Sequence, residues 1–266
     1  PLAPERIRFG GRILHQAGAH IPTQFITLCG NFSLRSSPMI APAPTLVAEC
    51  GLVRLEHHAL VGSTMDEAHR LAQGGAEAGT LVLADAQDGG RGRGGRQWAS
   101  EPGAGIWMTL IERPRDQRAL DVLALRTGLA LADALQPFCD GRITLKWPND
   151  LFVGTGKLAG ILIEARWRES LPEWVAIGVG VNRRVPTAIP GAASVRKDIA
   201  RDALLRAMLP AMRGAAALVG SLTAAECAQW AERDLAYGRE ITEPRPGRAM
   251  GIDAAGALRI VEPRGA

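Results

Sequence analysis

The chain has 266 residues and a mass of 28.2 kDa, with 47% hydrophobic and 22% charged residues. These values exclude a collagen-like, disulfide-framework or wholly disordered chain, and they fit one large domain or two modest ones. The formal net charge is +4, and the acid-free block GGRGRGGR (89–96) alone contributes three arginines to it.

The cysteine and hydropathy patterns narrow the class of protein further. The cysteines are widely separated, and no Cys/His spacing matches a zinc site, which predicts isolated free thiols in a reducing compartment: Cys29, Cys50, Cys139 and Cys227. The chain has no apolar run of the roughly 18 residues that a membrane span requires, and no secretory signal region. The sequence therefore predicts a cytoplasmic protein.

Residues 1–50 differ from the rest of the chain. They have no clean hydrophobic period, and SSPMIAPAP (36–44) has the composition of a linker. We predict a disordered or non-native N-terminal extension. A transit peptide is the alternative, because the segment contains arginines and few acidic residues.

From Gly51 onward, the hydrophobic periods predict strands with interspersed helices. In chain order, we expect a strand at 52–58, a helix at 63–75, strands at 80–86 and 105–113, a helix at 119–138, strands at 142–147, 151–153, 157–167 and 173–182, helices at 196–218 and 223–236, and short strands at 239–242, 248–253 and 257–261. Hairpins dominate the centre, which favours an α+β fold with a mixed or antiparallel sheet over a doubly wound parallel one.

Two helix boundaries have specific local signals. The first helix is expected to begin at Ser63 or Thr64, with Asp66 or Glu67 closing a capping box. Pro210 is expected to kink or split the helix predicted at 196–218, because it lacks the N–H that the helix interior needs.

The Arg/Gly loop, AQDGGRGRGGRQW (86–98), is the first of three segments with a chemical signal. Glycine lets backbone N–H groups approach an anion, and arginine adds a permanent charge that fits phosphate or carboxylate oxygens. Ordering such a loop costs about 1–2 kcal/mol per residue, so we expect it to be mobile without a ligand and to fold over an anionic one. An RGG-type nucleic-acid tether is the alternative, but this block lies between two strong strands rather than in a low-complexity tail.

The segment KWPND (146–150) follows a predicted strand. Asn149 and Asp150 offer an amide and a carboxylate there, which suit an adenine or ribose edge or a metal-bound phosphate. An ordinary Pro-Asn-Asp turn is the alternative.

The third segment is GKLAGILIE (156–164). Simple strand alternation places Lys157 on the same face as Ala159 and Ile161, from which it could reach the concave side of the sheet. A snorkelling edge-strand lysine is the alternative. The glycines of GVGVN (178–182) would let a ligand lie flat on the next strand.

In this order and spacing, five segments resemble the biotin–protein ligase family, also called biotin–[acetyl-CoA-carboxylase] ligase or holocarboxylase synthetase: GSTMDEA, QDGGRGRGGRQW, KWPND, KLAGILIE and GVGVN. The resemblance covers about 55–182. It implies a catalytic domain over 51–236 that is similar to that of class II aminoacyl-tRNA synthetases. GIDAAGALRIV resembles the family's C-terminal β-barrel-like cap, which would occupy 237–266 in a shortened form.

The resemblance implies an ATP-dependent, AMP-forming ligase. Such enzymes make biotinyl-5′-AMP from biotin and ATP with Mg²⁺, and then transfer biotin to a lysine of a biotin carboxyl carrier protein or domain of a carboxylase. The resemblance implies no membrane partner and is compatible with a homodimer. No helix-turn-helix pattern precedes Gly51, so DNA binding is not expected.

Two alternatives belong to other classes of function. A lipoate– or octanoate–protein ligase or transferase of the same superfamily is the nearest. A nucleic-acid-binding protein that uses the Arg/Gly loop is more distant.

Position by position, the resemblance implies three groups of site residues. The biotin-binding residues would be Ser63, Thr64, Gln87, Gly90, Arg91, Gly92, Arg93, Lys157, Gly160 and Gly180. The ATP- or adenylate-binding residues would be Arg96, Trp98, Asn149, Asp150 and Asn182. The catalytic residues would be Lys157, Arg91 and Arg93, while Mg²⁺ would be held through the substrate phosphates.

Two residues depart from the family's usual pattern. Met65 stands where the family often has Asn, which removes a side-chain hydrogen bond. Gly94 stands where the loop often has Arg, which makes the loop less charged and more flexible.

Overall fold

The computed structural model describes residues 45–262, except positions 115, 170, 188 and 190 and the side chain of Leu171. The N-terminal extension expected over residues 1–50 lies outside this range apart from its last six residues, and so does Cys29.

Five α-helices and ten strands form within the described residues. The helices are α1 (Leu46–Glu49), α2 (Thr64–Gln73), α3 (Gln117–Leu135), α4 (Arg201–Ala217) and α5 (Ala224–Arg233). The strands are β1 (Arg54–His58), β2 (Thr80–Ala84), β3 (Gly105–Glu112), β4 (Ile143–Lys146), β5 (Asp150–Val153), β6 (Gly156–Arg168), β7 (Leu171–Asn182), β8 (Glu240–Ile241), β9 (Gly247–Ile252) and β10 (Leu258–Val261).

The strands form a mixed sheet of seven strands and a small antiparallel sheet of three. The large sheet has the order β1-β2-β3-β7-β6-β5-β4, and the small one has the order β10-β9-β8. In the large sheet, only β1 and β2 pair in parallel, while the other neighbours are antiparallel. The predicted α+β fold with a mixed sheet and a C-terminal β module is confirmed.

The two faces of the large sheet bury different sets of side chains. One face packs against α3 and α4 through residues such as Leu83, Met108 and Val179, which belong to the main core. Each such aliphatic side chain contributes about 1.5–3 kcal/mol when it is buried. On the opposite face, α2 covers a second cluster that includes Val82 and Ala176. Alternate residues of one strand therefore serve the two cores, as a pleated strand requires.

Helix α2 begins at the predicted position, but the expected capping box is absent. Ser63 is the N-cap, and its hydroxyl accepts a hydrogen bond from the backbone N–H of Met65 (3.3 Å). The two acidic residues of the first turn have other partners: Asp66 pairs with Arg91, and Glu67 pairs with Arg70.

Helix α4 differs from its prediction in two ways. It begins at Arg201 rather than near position 196, and it continues through Pro210 as one helix. The expected split is therefore wrong. Packing of Met208, Leu209 and Met212, all fully buried, supplies stabilisation that offsets the hydrogen bond lost at the proline.

The β module and α1 are joined to the rest of the fold by specific contacts. The indole N–H of Trp147 donates to the carbonyl of Gly256 (3.0 Å), and the N–H of Leu222 donates to the carbonyl of Ala254 (2.9 Å). At the other end of the described chain, Leu46 is fully buried in the main core. The folded unit therefore begins before the Gly51 boundary proposed from the sequence.

Among the described residues, no helix is both long enough and apolar enough to cross a membrane.

Candidate active site

A cavity of about 810 Å³ lies on the α2 side of the large sheet, next to the area that α2 covers. All three segments singled out in the sequence contribute to its wall, together with α2, β3, β7 and the 240–244 segment of the β module. Sequence elements that lie far apart in the chain therefore meet at one place.

The floor of the cavity exists because glycines occupy inward-facing strand positions. Trp107, Gly180, Gly160 and Asp150 are successive cross-strand partners on β3, β7, β6 and β5. Cross-strand partners point to the same face of a sheet. The two central glycines leave room above the sheet between the indole of Trp107 and the carboxylate of Asp150, and the indole of Trp98 lies over them.

A β-bulge brings Lys157 onto this floor. The β5–β6 register shifts between Leu151 and Phe152, because Leu158 is an extra residue on β6. Lys157 consequently pairs with Phe152 and lies on the same face as Gly160, not with Ala159 and Ile161 as simple alternation predicts. The predicted face was wrong at this point, and the reason is the bulge, which re-aims a side chain.

Lys157 is held between a carboxylate and an aromatic ring. Its Nζ lies 2.8 Å from Oδ1 of Asp150 and 4.8 Å from the centroid of the Trp98 ring. The side chain of Lys157 is 35% exposed, so the ammonium group remains within reach of the cavity. This arrangement places one mobile cation beside one carboxylate at the edge of the glycine floor.

Trp98 lies flat against the same glycines. A Cβ atom added at Gly180 or Gly160 would come within 2.6 Å of the indole of Trp98, so only glycine fits beneath it. The indole N–H of Trp98 is buried and has no hydrogen-bond partner among the described residues. The structure therefore puts Trp98 in the cavity wall, in contact with the lysine region.

The polar end of the cavity is a chain of hydrogen bonds between side chains. The hydroxyl of Thr109 donates to Thr64 (2.9 Å), and the hydroxyl of Thr64 donates to Oε1 of Gln87 (3.0 Å). The backbone N–H of Thr64 also donates to Gln87 Oε1 (2.8 Å), and Gln87 Nε2 donates to Ser100 (2.8 Å). These groups form a fixed set of donors and acceptors at the start of α2.

The Arg/Gly loop is folded as an irregular hairpin. Gly92 N–H donates to the carbonyl of Arg96 (2.8 Å), and Trp98 N–H donates to the carbonyl of Gly90 (2.9 Å). At the tip, Gly94 has a φ of +69°, a left-handed conformation that glycine adopts without strain. The departure from arginine at this position therefore suits the turn.

The three arginines of the loop have different surroundings. The guanidinium of Arg91 contacts the carboxylates of Asp66 and Glu164. Arg93 and Arg96 line the cavity on the side of Asp150. Burial lowers the pKa of Arg93; the charge of Asp150 opposes this effect and that of Arg96 adds to it. Arg91, for which the resemblance implied a biotin-binding and catalytic role, is therefore bound to protein carboxylates in this structure.

Three predicted ligand residues do not line the cavity. Ser63 is the buried cap of α2, and Gly90 packs beneath the Trp98 carbonyl, where an added Cβ would lie 2.5 Å away. Asn182 is buried, and its amide donates to the carbonyls of Lys157 (3.1 Å) and Ala193 (3.0 Å). Asn182 thus joins the start of β6 to the Ala193 segment, and it lies outside the cavity wall.

The other predicted residues lie on the cavity wall: Thr64, Gln87, Arg91, Gly92, Arg93, Arg96, Trp98, Asn149, Asp150, Lys157, Gly160 and Gly180. Asn149 also donates from its amide to the carbonyl of Ile161 (2.7 Å), which joins the KWPND segment to β6.

Sequence reasoning missed three features of the wall. Trp107 faces the floor from β3, and the 240–244 segment of the β module forms a rim that includes Glu240 and Glu243. Met65 extends across Gly178, where an added Cβ would lie 2.6 Å from its terminal methyl group. Strand alternation from Thr109 could have located Trp107 only after the pairing with β7 was known.

Comparison with known proteins gives matches over most of the described chain. Residues 59–182 match the biotin/lipoate A/B protein ligase family. The chain is 30% identical over 230 residues to the biotin–[acetyl-CoA-carboxylase] ligase of Mycobacterium tuberculosis. This alignment covers 82% of this chain and 84% of that protein. The chain is also 39% identical over 129 residues to the bifunctional ligase/repressor BirA of Bacillus subtilis, in an alignment that covers 48% of this chain and 40% of BirA.

Among solved structures, the biotin protein ligase of Aquifex aeolicus in complex with biotin and ATP is similar, with a TM-score of 0.64 and 25% identity over 80% of this chain and 93% of that one. The alignments with the BirA proteins span only 34–40% of those longer relatives.

Proposed function

The chain belongs to the biotin–[acetyl-CoA-carboxylase] ligase family, and on this premise we propose that it activates biotin with ATP and transfers the biotinyl group to a carrier protein. The first step would form biotinyl-5′-AMP and release pyrophosphate. The second would move the biotinyl group to a lysine of a biotin carboxyl carrier domain and release AMP. The observation that carries the proposal is the convergence of the three segments on one cavity, with Lys157 beside the glycine floor.

The two ends of the cavity suit the two ends of biotin. The hydrogen-bonded groups of Thr64 and Gln87 offer donors and acceptors for a ureido ring. The floor at Gly180 and Gly160 would give an apolar ring system and its chain a flat surface once the Trp98 indole, which lies on these two glycines, moves aside. The carboxylate would then lie toward Lys157.

Adenylation brings two anions together, so its main requirement is electrostatic. Lys157, Arg93 and Arg96 lie on the cavity wall, where their charges would stabilise the negative charge that develops on the α-phosphate and carboxylate oxygens. The reaction needs no nucleophile from the protein, because the biotin carboxylate attacks the phosphate itself. Trp98 would cover the nucleotide and exclude water from the mixed anhydride.

Mg²⁺ would enter with the triphosphate and neutralise part of its charge. Within the described ranges, no group of three or more His, Cys, Asp or Glu residues is placed to hold a metal ion. The wall does supply carboxylates at Asp150, Glu240 and Glu243. Because Mg²⁺ is commonly held by one or two carboxylates plus substrate phosphates, this set fits the ion, with Asp150 as the proposed protein ligand.

Transfer of labelled biotin to an apo carrier domain tests the proposed function. We expect label on the carrier only when ATP and Mg²⁺ are both present, with one AMP formed per biotin transferred. A parallel reaction with lipoate, the substrate of the alternative ligases in the same superfamily, should give little product. Transfer of lipoate but not biotin would contradict the proposal, and so would biotin transfer that is independent of ATP.

A further inference from the structure

Arg91 joins the Arg/Gly loop to α2 and to the sheet. One nitrogen of the Arg91 guanidinium contacts Asp66, in the first turn of α2, and the other contacts Glu164 on β6. A planar guanidinium can bind two carboxylates at once, and such charge-assisted contacts are strong. The side chains of Arg91 and Glu164 are 37% and 26% exposed, so solvent screens their pair only partly, whereas Asp66 is 59% exposed and its pair with Arg91 is screened more strongly.

Glu164 is itself oriented by a second layer of contacts. The indole N–H of Trp174 donates to Nδ1 of His69 (3.0 Å), which leaves the proton on Nε2. His69 Nε2 therefore donates to the other oxygen of Glu164 (3.0 Å). We call this set of residues the Arg91 network: Asp66, His69, Arg91, Glu164 and Trp174.

The network keeps Glu164 charged. Burial alone would raise the pKa of Glu164, but hydrogen bonds from His69 and Arg91, together with the charge of Arg91, outweigh burial and hold the pKa below its ordinary value. The carboxylate is therefore ionised at neutral pH and can hold a cation.

An anchor at Arg91 restrains the rest of the loop. Arg91 pairs with Gln97 across the hairpin, and the next residue, Gly92, donates to the carbonyl of Arg96. The segment that contains Arg96 and Trp98 is therefore held in place when Arg91 is held in place. Arg93, at the tip, extends toward Asp150 instead of toward the network.

We propose that Asp66 and Glu164 are positioning residues that hold the Arg/Gly loop over the cavity through Arg91, and that they thereby limit the escape of the acyl-adenylate. The inference rests on the proposed function for the identity of the retained intermediate. Opening the loop requires both ion pairs to separate. The pairs lie away from the reacting region at Lys157, so they act on retention and not on chemistry.

Release of a preformed intermediate tests the proposal. Labelled biotinyl-AMP is formed on the enzyme, unlabelled biotin is added in excess, and loss of bound label is followed alongside pyrophosphate release. Glu164→Gln should accelerate loss of the label about five- to tenfold and change the rate of pyrophosphate formation less than about twofold. The matched control is Glu67→Gln, because Glu67 is next to Asp66 on α2 and pairs with Arg70 outside the network; it should leave both rates unchanged.

A double variant separates anchoring from a general effect on the fold. In the Arg91→Ala background, Glu164→Gln should add no further acceleration, because its partner is already absent. A fully additive effect would show that Glu164 acts through His69 and Trp174 alone, and would overturn the proposal. Slower release or tighter biotin binding in Glu164→Gln would also overturn it, since that result would mean that a freed Arg91 contacts the ligand.

Amide hydrogen exchange tests the anchoring of the loop without relying on the enzyme activity of the proposed function. Measured without substrates, exchange in the 89–98 segment should be faster in Glu164→Gln than in the wild type or Glu67→Gln. If the wild type made no adenylate, the proposed function would fail while faster exchange still supported the anchor. Equal exchange in all three proteins would overturn the anchor, whatever the activity.

Discussion

At the scale of single residues, the position of Lys157 depends on one extra residue in a strand. The bulge at Leu158 turns Lys157 toward Asp150 and the glycine floor, where its ammonium lies 2.8 Å from the carboxylate. Sequence alone identified Lys157 as a candidate from its place at the start of a predicted strand and from the family resemblance. It could not give the face, because a bulge has no reliable signature in a run of small and aliphatic residues.

Replacing Lys157 with alanine should remove a preorganised positive charge from the cavity. We expect biotin-dependent pyrophosphate release to fall by about 10²–10³-fold, the usual cost of losing one such group. Lys197→Ala is the matched control, since Lys197 is exposed and outside the cavity wall, and it should retain full activity. Near-normal pyrophosphate release by Lys157→Ala would remove this residue from the proposed chemistry.

At the scale of elements, local sequence signals predicted most helices and strands, but they did not predict how these elements pack against one another. The β5–β6 hairpin, the N-cap Ser63 and the three C-terminal strands were all predictable, since each depends on neighbouring residues. The continuity of α4 through Pro210 was not, because burial against other helices decides it. The hairpin fold of the Arg/Gly loop also escaped prediction, because its cross-loop contacts have no hydrophobic period.

The glycine floor formed by β6 and β7 predicts a binding defect without a folding defect. In Gly180→Ala, the new methyl group would lie 2.6 Å from the Trp98 indole, which must move away. We expect biotin affinity to fall at least about tenfold with little loss of thermal stability, because the aromatic side chain of Trp98 moves more easily than backbone. Calorimetric titration with biotin measures the first effect and thermal unfolding the second. Unchanged affinity would show that this floor is not part of the binding surface.

A second glycine in a different element gives the control for Gly180→Ala. Gly214 is an exposed residue of α4, and an added Cβ there would meet no atom within 4 Å. Gly214→Ala should raise the free energy of unfolding by about 0.5–1 kcal/mol, because alanine is the better helix former. Its biotin affinity should equal that of the wild type, and a stability decrease would contradict the helix argument.

At the scale of the whole molecule, the β module completes the cavity. Its 240–244 segment supplies the rim, and the indole of Trp147 binds the module at Gly256 from the KWPND segment. The same five-residue segment therefore supplies Asp150 to the cavity and Trp147 to the domain contact. The resemblance of the tail to a cap was readable from the sequence, but its contact with KWPND was not, because the residues involved are 109 positions apart.

Loosening this contact should affect the nucleotide more than biotin. Trp147→Phe keeps an aromatic ring but removes the hydrogen bond to Gly256, which should lower the free energy of unfolding by about 1 kcal/mol. We expect the KM for ATP to rise about threefold or more while the KM for biotin changes little, since the rim lies near Asp150. Steady-state kinetics with each substrate varied in turn provides the measurement. Equal changes in both constants would argue against a rim that acts on ATP alone.

The single parallel strand pair, β1 with β2, has a consequence for how the cavity is assembled in time. The pair and its crossover helix α2 are local, with partners such as Arg54 and Thr80 separated by 26 positions, whereas β3 and β7 join Gly105 to Asn182 across 77. Short loops close at a lower entropic cost, so Thr64, at the start of α2, belongs to a unit that can form early, while the glycine floor depends on long-range pairing. A ligand that contacts both the start of α2 and the glycine floor binds only after the whole sheet has formed. Its binding free energy is therefore added to the stability of the whole domain, and none of it is available to the β1–α2–β2 unit alone.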